Sequence, residues 1–245
     1  MSEFESFEKE QKKAFDLGEA INQSFEIYKK IALPGGLGLL LIMAILSIAS
    51  ISGIGFFVDI ESFSEKMKNF KPETLSFQDN LIYIGVITII TALISPFIAG
   101  IQKMCHEVDH NEEVKFSSIW FYVNSDRFIH IVLATSLITL ITTAINNYLT
   151  SSMPLFGNIL AICITFPISV LTFIMLPLIL FERLNAIQAI SKSTQLVSKN
   201  FFTVLILLLL GYIFAFVGLI AFCVGIIFTL PIIYAVQYTV YKNLS

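Results

Sequence analysis

FFTVLILLLLGYIFAFVGLIAFCVGIIFTLPIIYAVQYTVY, residues 201–241, carries no charged side chain in 41 consecutive positions. A helix needs about 20 apolar residues to cross the ~30 Å hydrocarbon core of a bilayer, so this run is long enough for two passes. As one unbroken helix it would measure about 60 Å, twice the core, and a tight hairpin turning near Gly218 is expected instead. Runs without Asp, Glu, Lys or Arg also occupy 31–57, 81–101, 128–148 and 159–181. With 201–217 and 220–241 they predict an all-α, polytopic membrane bundle of six transmembrane helices in a single domain, 1–245, with 1–30 as an N-terminal segment.

Composition agrees. The chain is 56% hydrophobic and only 13% charged, whereas soluble domains carry about 25% charged residues. The six spans take up about 130 of the 245 residues, leaving no room for a separate soluble catalytic domain of usual size. Of fifteen basic residues only Arg127 and Arg183 are arginine, which gives no stripe of the kind nucleic-acid binders show. Cys105, Cys163 and Cys223 lack C-x-x-C spacing and are read as small packing residues. The N-terminus opens with Glu3, Glu5 and Glu8 and reaches its first apolar run only at Ile31, so no cleavable signal is expected.

The basic residues set an orientation. If the spans alternate, twelve of the fifteen fall on one side: Lys9 to Lys30, Lys103 to Arg127, Arg183 to Lys199, and Lys242. The other side holds Lys66, Lys68 and Lys71. The positive-inside rule then places both termini in the cytoplasm.

A repeat is visible in the segments that precede the first, third and fifth spans. In 17–30, Leu17, Ile21, Phe25 and Tyr28 recur at helical spacing with Glu19, Asn22, Glu26 and Lys29 between them, the pattern of an amphipathic helix lying at the membrane interface. Residues 186–200 align with it without gaps, Ala20, Ile21, Ser24, Ile27 and Lys30 falling on Ala189, Ile190, Ser193, Leu196 and Lys199. Residues 116–127, with Phe116, Ile119, Trp120 and Val123, match by pattern only. The even-numbered spans each carry a proline near the cytoplasmic end, Pro96, Pro177 and Pro231, followed five or six residues later by Gln102, Glu182 and Gln237. Each proline is expected to kink its helix, a defect that neighbouring helices absorb. The expected unit is thus an amphipathic helix, a span, a short outer turn and a proline-bent span, occurring three times as quasi-repeated hairpins. Small-xxx-small pairs, Gly211 with Ala215, Ala221 with Gly225 and Ala49 with Gly53, predict close helix contacts. In the one sizeable outer loop, Phe63, Met67 and Phe70 before Pro72 predict a short surface helix.

The stretches from Phe15 to Tyr28, from Gly100 through Met104 to Ser117, and from Ala189 through Asn200 to Ile232 resemble the six-helix membrane domain found on some glycerophosphoryl diester phosphodiesterases, and related stand-alone bacterial membrane proteins of unassigned function. The soluble phosphodiesterase barrel has no counterpart in these residues. The resemblance therefore implies a fold and a membrane address, and no catalytic residue is carried over.

One motif argues for chemistry. His106-Glu107-Val108-Asp109-His110 satisfies H-E-x-x-H, which on a helix places two imidazoles as zinc ligands with the glutamate as general base. Against it stand the charge at Asp109, the polar run Asn111-Glu112-Glu113 that follows, and the lack of a buried carboxylate in later spans. The preferred reading of His106, Glu107 and His110 is a solvated charged linker with no metal, no cofactor and no catalytic residue. Ion-coupled transport is likewise disfavoured, since ionisable groups retained inside a bilayer are its usual mark. Only His130 lies within a span, two residues from its start, and Asn146 and Asn147 at the far end of that helix are read as interfacial. A passive path lined by Ser95, Thr165, Ser169, Thr172, Thr229 and Tyr234 is the alternative. The expected function is a non-enzymatic protein that organises lipids or partner proteins, its partners being membrane lipids, another membrane protein or a second copy of the chain, and not nucleic acid. The alternatives are a pore or carrier for an uncharged or lipid-like substrate, then a zinc protease.

Overall fold

The computed structural model describes residues 15–57, 77–153, 155–221 and 225–245, with the side chains of 49–57, 77 and 219–221 left aside. The acidic N-terminus, the Phe63–Met67–Phe70 segment and Cys223 lie outside the described residues, as do the side chains of the Ala49–Gly53 pair and of Ala221. Every described element is helical: α1 (Leu17–Phe57), α2 (Phe77–Asp109), a 3-10 helix (Phe116–Asn124), α3 (Phe128–Ser152), α4 (Gly157–Leu171), α5 (Met175–Phe181), α6 (Ala186–Lys199), α7 (Phe201–Ala221), α8 (Gly225–Thr229) and α9 (Pro231–Leu244). Five stretches are long and apolar enough to cross a membrane: Leu17–Ile48, Gln78–Asp109, Phe128–Ser152, Gly157–Phe181 and Phe201–Gly218.

The first amphipathic segment is no separate interfacial helix. Residues 17–30 run straight into the first span as one helix of 41 residues, about 60 Å long. Its most buried stripe is Ala20, Ser24, Ile27 and Ile31. The predicted membrane face turns partly inward, with Phe25 meeting Phe214 of α7 edge-on at 4.6 Å between ring centroids. The third copy does stand alone. Asn185 opens α6 with a capping box, its side chain accepting from the Gln188 N–H at 2.9 Å while the Gln188 side chain accepts from the Asn185 N–H at 3.3 Å. The equivalent small residues, Ala189 and Ser193, are fully buried. The middle copy is a 3-10 helix rather than an α-helix.

The three prolines act differently. Pro96 lies inside an uninterrupted α2. Pro177 sits just after a break at Thr172–Ile174 that separates α4 from α5, and Pro231 begins α9 after a turn at Leu230. At N1 or within the first helical turn a proline loses little, because those N–H groups have no intrahelical acceptor.

The last apolar block turns back on itself. The Thr229 hydroxyl donates to the Ala215 carbonyl at 2.7 Å, a Cβ at Gly211 would touch Val236 at 3.3 Å, and one at Gly218 would come within 2.7 Å of the Gly225 carbonyl oxygen. Partners 211 with 236, 215 with 229 and 218 with 225 run antiparallel. Gly218 and Gly225 let the two backbones close where any side chain would collide. Around this hairpin, α9 packs on α1 and α7, α1 packs on α2, and α3 lies between α2 and α4.

Charge is segregated by end. Lys242 of α9 pairs with Asp109 of α2 at 2.5 Å, Arg127 donates to the Arg183 carbonyl at 2.8 Å, Lys192 pairs with Glu182, and Asn243 donates to Gln23 at 3.1 Å. The links between elements that involve a charged side chain are therefore gathered at one end. At the opposite end Asp79 is the single charged side chain among the described residues. Packing follows the same axis. The charged half holds both hydrophobic cores, one around Ile131, Val170, Ile174 and Leu207 and one around Ile31, Ile101, Met104 and Tyr238. The uncharged half turns Ile48, Leu81, Ile89, Leu93 and Ile162 outward, as suits a surface solvated by acyl chains rather than by water.

Candidate functional site

At the charged end His106 and Glu107 lie in the last turn of α2 and His110 just past it, and the carboxylate does not join the two imidazoles. His106 and His110 have ring centroids 3.9 Å apart and tilted by 41°. His106 Nδ1 lies 3.1 Å from the Tyr238 hydroxyl, its ring stacks on Phe181 at 4.6 Å, and His110 Nδ1 lies 2.9 Å from the His106 carbonyl. Glu107 faces another way. Its carboxylate accepts from Lys103 Nζ at 2.7 Å and from the Ser118 hydroxyl at 2.7 Å, with the Lys115 N–H at 3.4 Å. Only 4% of Glu107 is exposed, which corrects its reading as part of a solvated linker: the 3-10 helix folds back over it. Gly100 permits that seat, for a Cβ there would lie 2.4 Å from the Ile119 Cα. A base needs a lone pair aimed at a metal-bound water, and here Oε1 takes both the lysine and the hydroxyl while Oε2 faces the Lys115 N–H, away from the two imidazoles. Among the described residues no group of three or more His, Cys, Asp or Glu side chains is placed to hold a metal ion.

Two further groups at this end are perturbed by their surroundings. Burial pushes the Tyr122 phenol up to about 12, and the negative charges of Glu107 and Asp126 add to the shift. The hydrogen bond from Arg127 holds the Asp126 carboxyl below the usual range.

Between the two ends the glutamines that follow two of the prolines meet. Gln102 Nε2 donates to Gln237 Oε1 at 2.5 Å and to the Tyr234 carbonyl at 3.2 Å. Gln237 Nε2 in turn donates to the Phe173 carbonyl, in the α4–α5 break. Gln102 is fully buried and its Oε1 has no partner. Glu182, the third polar residue of the series, pairs with Lys192 instead.

At the uncharged end lies a cleft of about 450 Å³ between α2, α3 and α4. Tyr83 and Ile87 of α2 form one wall; Thr142, Thr143, Asn146, Asn147 and Thr150 of α3 form the second; Asn158, Thr165 and Ser169 of α4 form the third. Nine of these ten residues are polar and none is charged. Asn147 is only 7% exposed, and it locks the rim by donating to Asn80 at 2.9 Å while accepting from Ser151 at 3.2 Å. The hydroxyl protons are used within each helix: Thr142 donates to the Ile138 carbonyl, Thr150 to Asn146, Thr165 to Ala161 and Ser169 to Thr165, at 2.8 to 3.0 Å.

Of the six residues expected to line a path, Thr165 and Ser169 reach this cleft. Ser95, Thr172 and Thr229 bond to backbone carbonyls elsewhere, and Tyr234 packs against the core around Ile31 and Met104. Sequence reading passed over Tyr83, Thr142, Thr143, Thr150 and Asn158. A signal was present: Thr142, Asn146 and Thr150 recur every four residues and share one face of an apolar helix, as do Asn158, Thr165 and Ser169 at intervals of seven and four. No known protein family, curated protein or solved structure matches this chain.

Proposed function

We propose that the chain crosses a bacterial cytoplasmic membrane six times, as three quasi-repeated hairpins with both termini in the cytoplasm, and that it organises lipids without catalysing a reaction. The observation that carries this reading is the uncharged polar cleft, set among helix faces that turn their apolar side chains outward. A hydrolase needs a base or a metal to activate its nucleophile or water, whereas the hydroxyl and amide groups that line this cleft suit binding and orienting. The return of α8 and α9 along α7 supports the sixth crossing, and the charge segregation supports the orientation. The resemblance to the membrane domain of glycerophosphoryl diester phosphodiesterases is in keeping with a lipid-facing role. A carrier is the second reading, favoured by the depth of the cleft: Thr142 lies ten residues from Ser152, the end of α3, or about 15 Å of helix. Below it Ile131, Ala134, Val170 and Ile174 are fully buried in one core, which offers no continuation to the charged end.

Native mass spectrometry of protein released from the membrane in mild detergent tests the reading. The expected result is a small, reproducible number of retained lipids, with no solute flux when the protein is reconstituted in sealed vesicles. Protein that sheds all lipid, or that makes vesicles permeable to small neutral solutes, would overturn it.

A further inference from the structure

We propose that the cleft between α2, α3 and α4 is a binding site for a neutral, polyhydroxylated group, the sugar or glycerol headgroup of an uncharged lipid in the outer leaflet. The proposal rests on the lipid-organising reading and names the lipid class. Its volume, about 450 Å³, falls within the 300–1,000 Å³ range of small-ligand sites. The hydrogen-bonding character of the lining selects the ligand. Because Thr142, Thr150, Thr165 and Ser169 each spend their one proton on a carbonyl of their own helix, each offers its remaining lone-pair capacity as an acceptor. A cleft rich in acceptors calls for a ligand rich in O–H donors. Asn146 and Asn158, both exposed at its edge, can donate as well as accept.

Charge excludes the main competitor. No Lys, Arg or His lines the cleft, so a phosphate, which brings only acceptors and negative charge, would meet hydroxyl oxygens with no cation to offset its desolvation. The walls argue for a lipid over a free sugar. Ile141 of α3 and Ile162 and Phe166 of α4 are exposed on the two helices that supply most of the lining, giving acyl chains an apolar surface while the headgroup enters between the helices. The closed core at Ile131, Ala134, Val170 and Ile174 makes the cleft a socket rather than a passage.

The test uses the full chain in nanodiscs, offered a neutral monoglucosyl diacylglycerol or phosphatidylglycerol of the same chains, or soluble methyl glucoside, and read by native mass spectrometry and by the shift in melting temperature. The wild type is expected to retain the glycolipid about tenfold better than phosphatidylglycerol. The double variant Thr142→Val and Thr165→Val keeps side-chain shape while removing two acceptors, and should lose that preference by about tenfold. Asn146→Leu, on an exposed side chain, should do the same without disturbing packing. Stabilisation by methyl glucoside at millimolar concentration, lost in the same variants, would support the site with a free polyol as its ligand. Equal retention of both lipids, or a preference unchanged in all variants, would overturn the cleft as a site while leaving general lipid binding standing. Absence of any retained lipid would instead remove the lipid-organising reading itself.

Discussion

Glu107 and Gln237 show how much depends on single polar side chains once they are buried. Glu107 was expected to be solvated because Asp109 and the polar run Asn111-Glu112-Glu113 follow it, yet it sits beneath the 3-10 helix with Lys103 and Ser118 as partners. Glu107→Ala should therefore cost about 1–3 kcal/mol in a reversible unfolding assay, by stranding those donors, well outside the roughly 0.5 kcal/mol scatter of surface substitutions. Zinc measured by mass spectrometry should remain well below one per chain and should not change in His110→Ala; stoichiometric zinc lost in that variant would restore the protease reading. Gln237→Leu removes the acceptor of Gln102 and frees the Phe173 carbonyl. It should destabilise by about 1–2 kcal/mol, the upper range for hydrogen bonds between membrane helices, and the double variant with Gln102→Leu should recover part of the loss because both ends of the pair are then apolar. A double variant as unstable as the sum of the singles would show that the glutamines are not coupled.

Elements were legible in proportion to how local their causes are. The start of α6 follows from the adjacent residues Asn185 and Gln188, whereas Pro231, expected to bend a span over 220–241, begins α9 instead. The continuation of 17–30 into α1 was not legible, because the amphipathic pattern describes a protein-facing stripe as well as a membrane-facing one. The 3-10 helix is held from outside, by the Glu107 carboxylate and by the bare backbone of Gly100. Gly100→Val should displace it. Amide exchange across 116–124 should accelerate sharply, and the protein should lose several times the ~1 kcal/mol that helix propensity alone governs. Gly85→Ala is the control: a Cβ there meets nothing within 4 Å, so exchange should be unchanged and stability equal or slightly higher.

For the whole molecule, the segregation of charge makes a prediction about sidedness. Reporter fusions after Lys30, Ser125, Lys199 and Ser245 should report the cytoplasm, and fusions at Met67 and Ser152 the outside. An outside signal at Ser245 alone would mean that the hairpin of α7 with α8 and α9 does not cross a second time. The two ends also differ in packing: the charged half is closed around its two cores, while the other half leaves the cleft open between α2, α3 and α4. Mobility on the microsecond to millisecond scale should accordingly be greater for the methyl groups of Ile141 and Ile162 than for those of Ile131 and Ile174, measured by relaxation dispersion.

Membrane residence, helical content, five of the spans and the side on which charges collect were determined by the sequence itself, because each depends on the length and composition of one continuous stretch measured against the bilayer. The meeting of Gln102 with Gln237, the burial of Glu107 and the convergence of Thr142, Asn146, Thr165 and Ser169 on one cleft were decided only by tertiary structure. In an apolar setting a polar side chain is satisfied by whatever group the next helix presents. That depends on how the helices are rotated about their axes, which packing at a distance sets and no single stretch of sequence records.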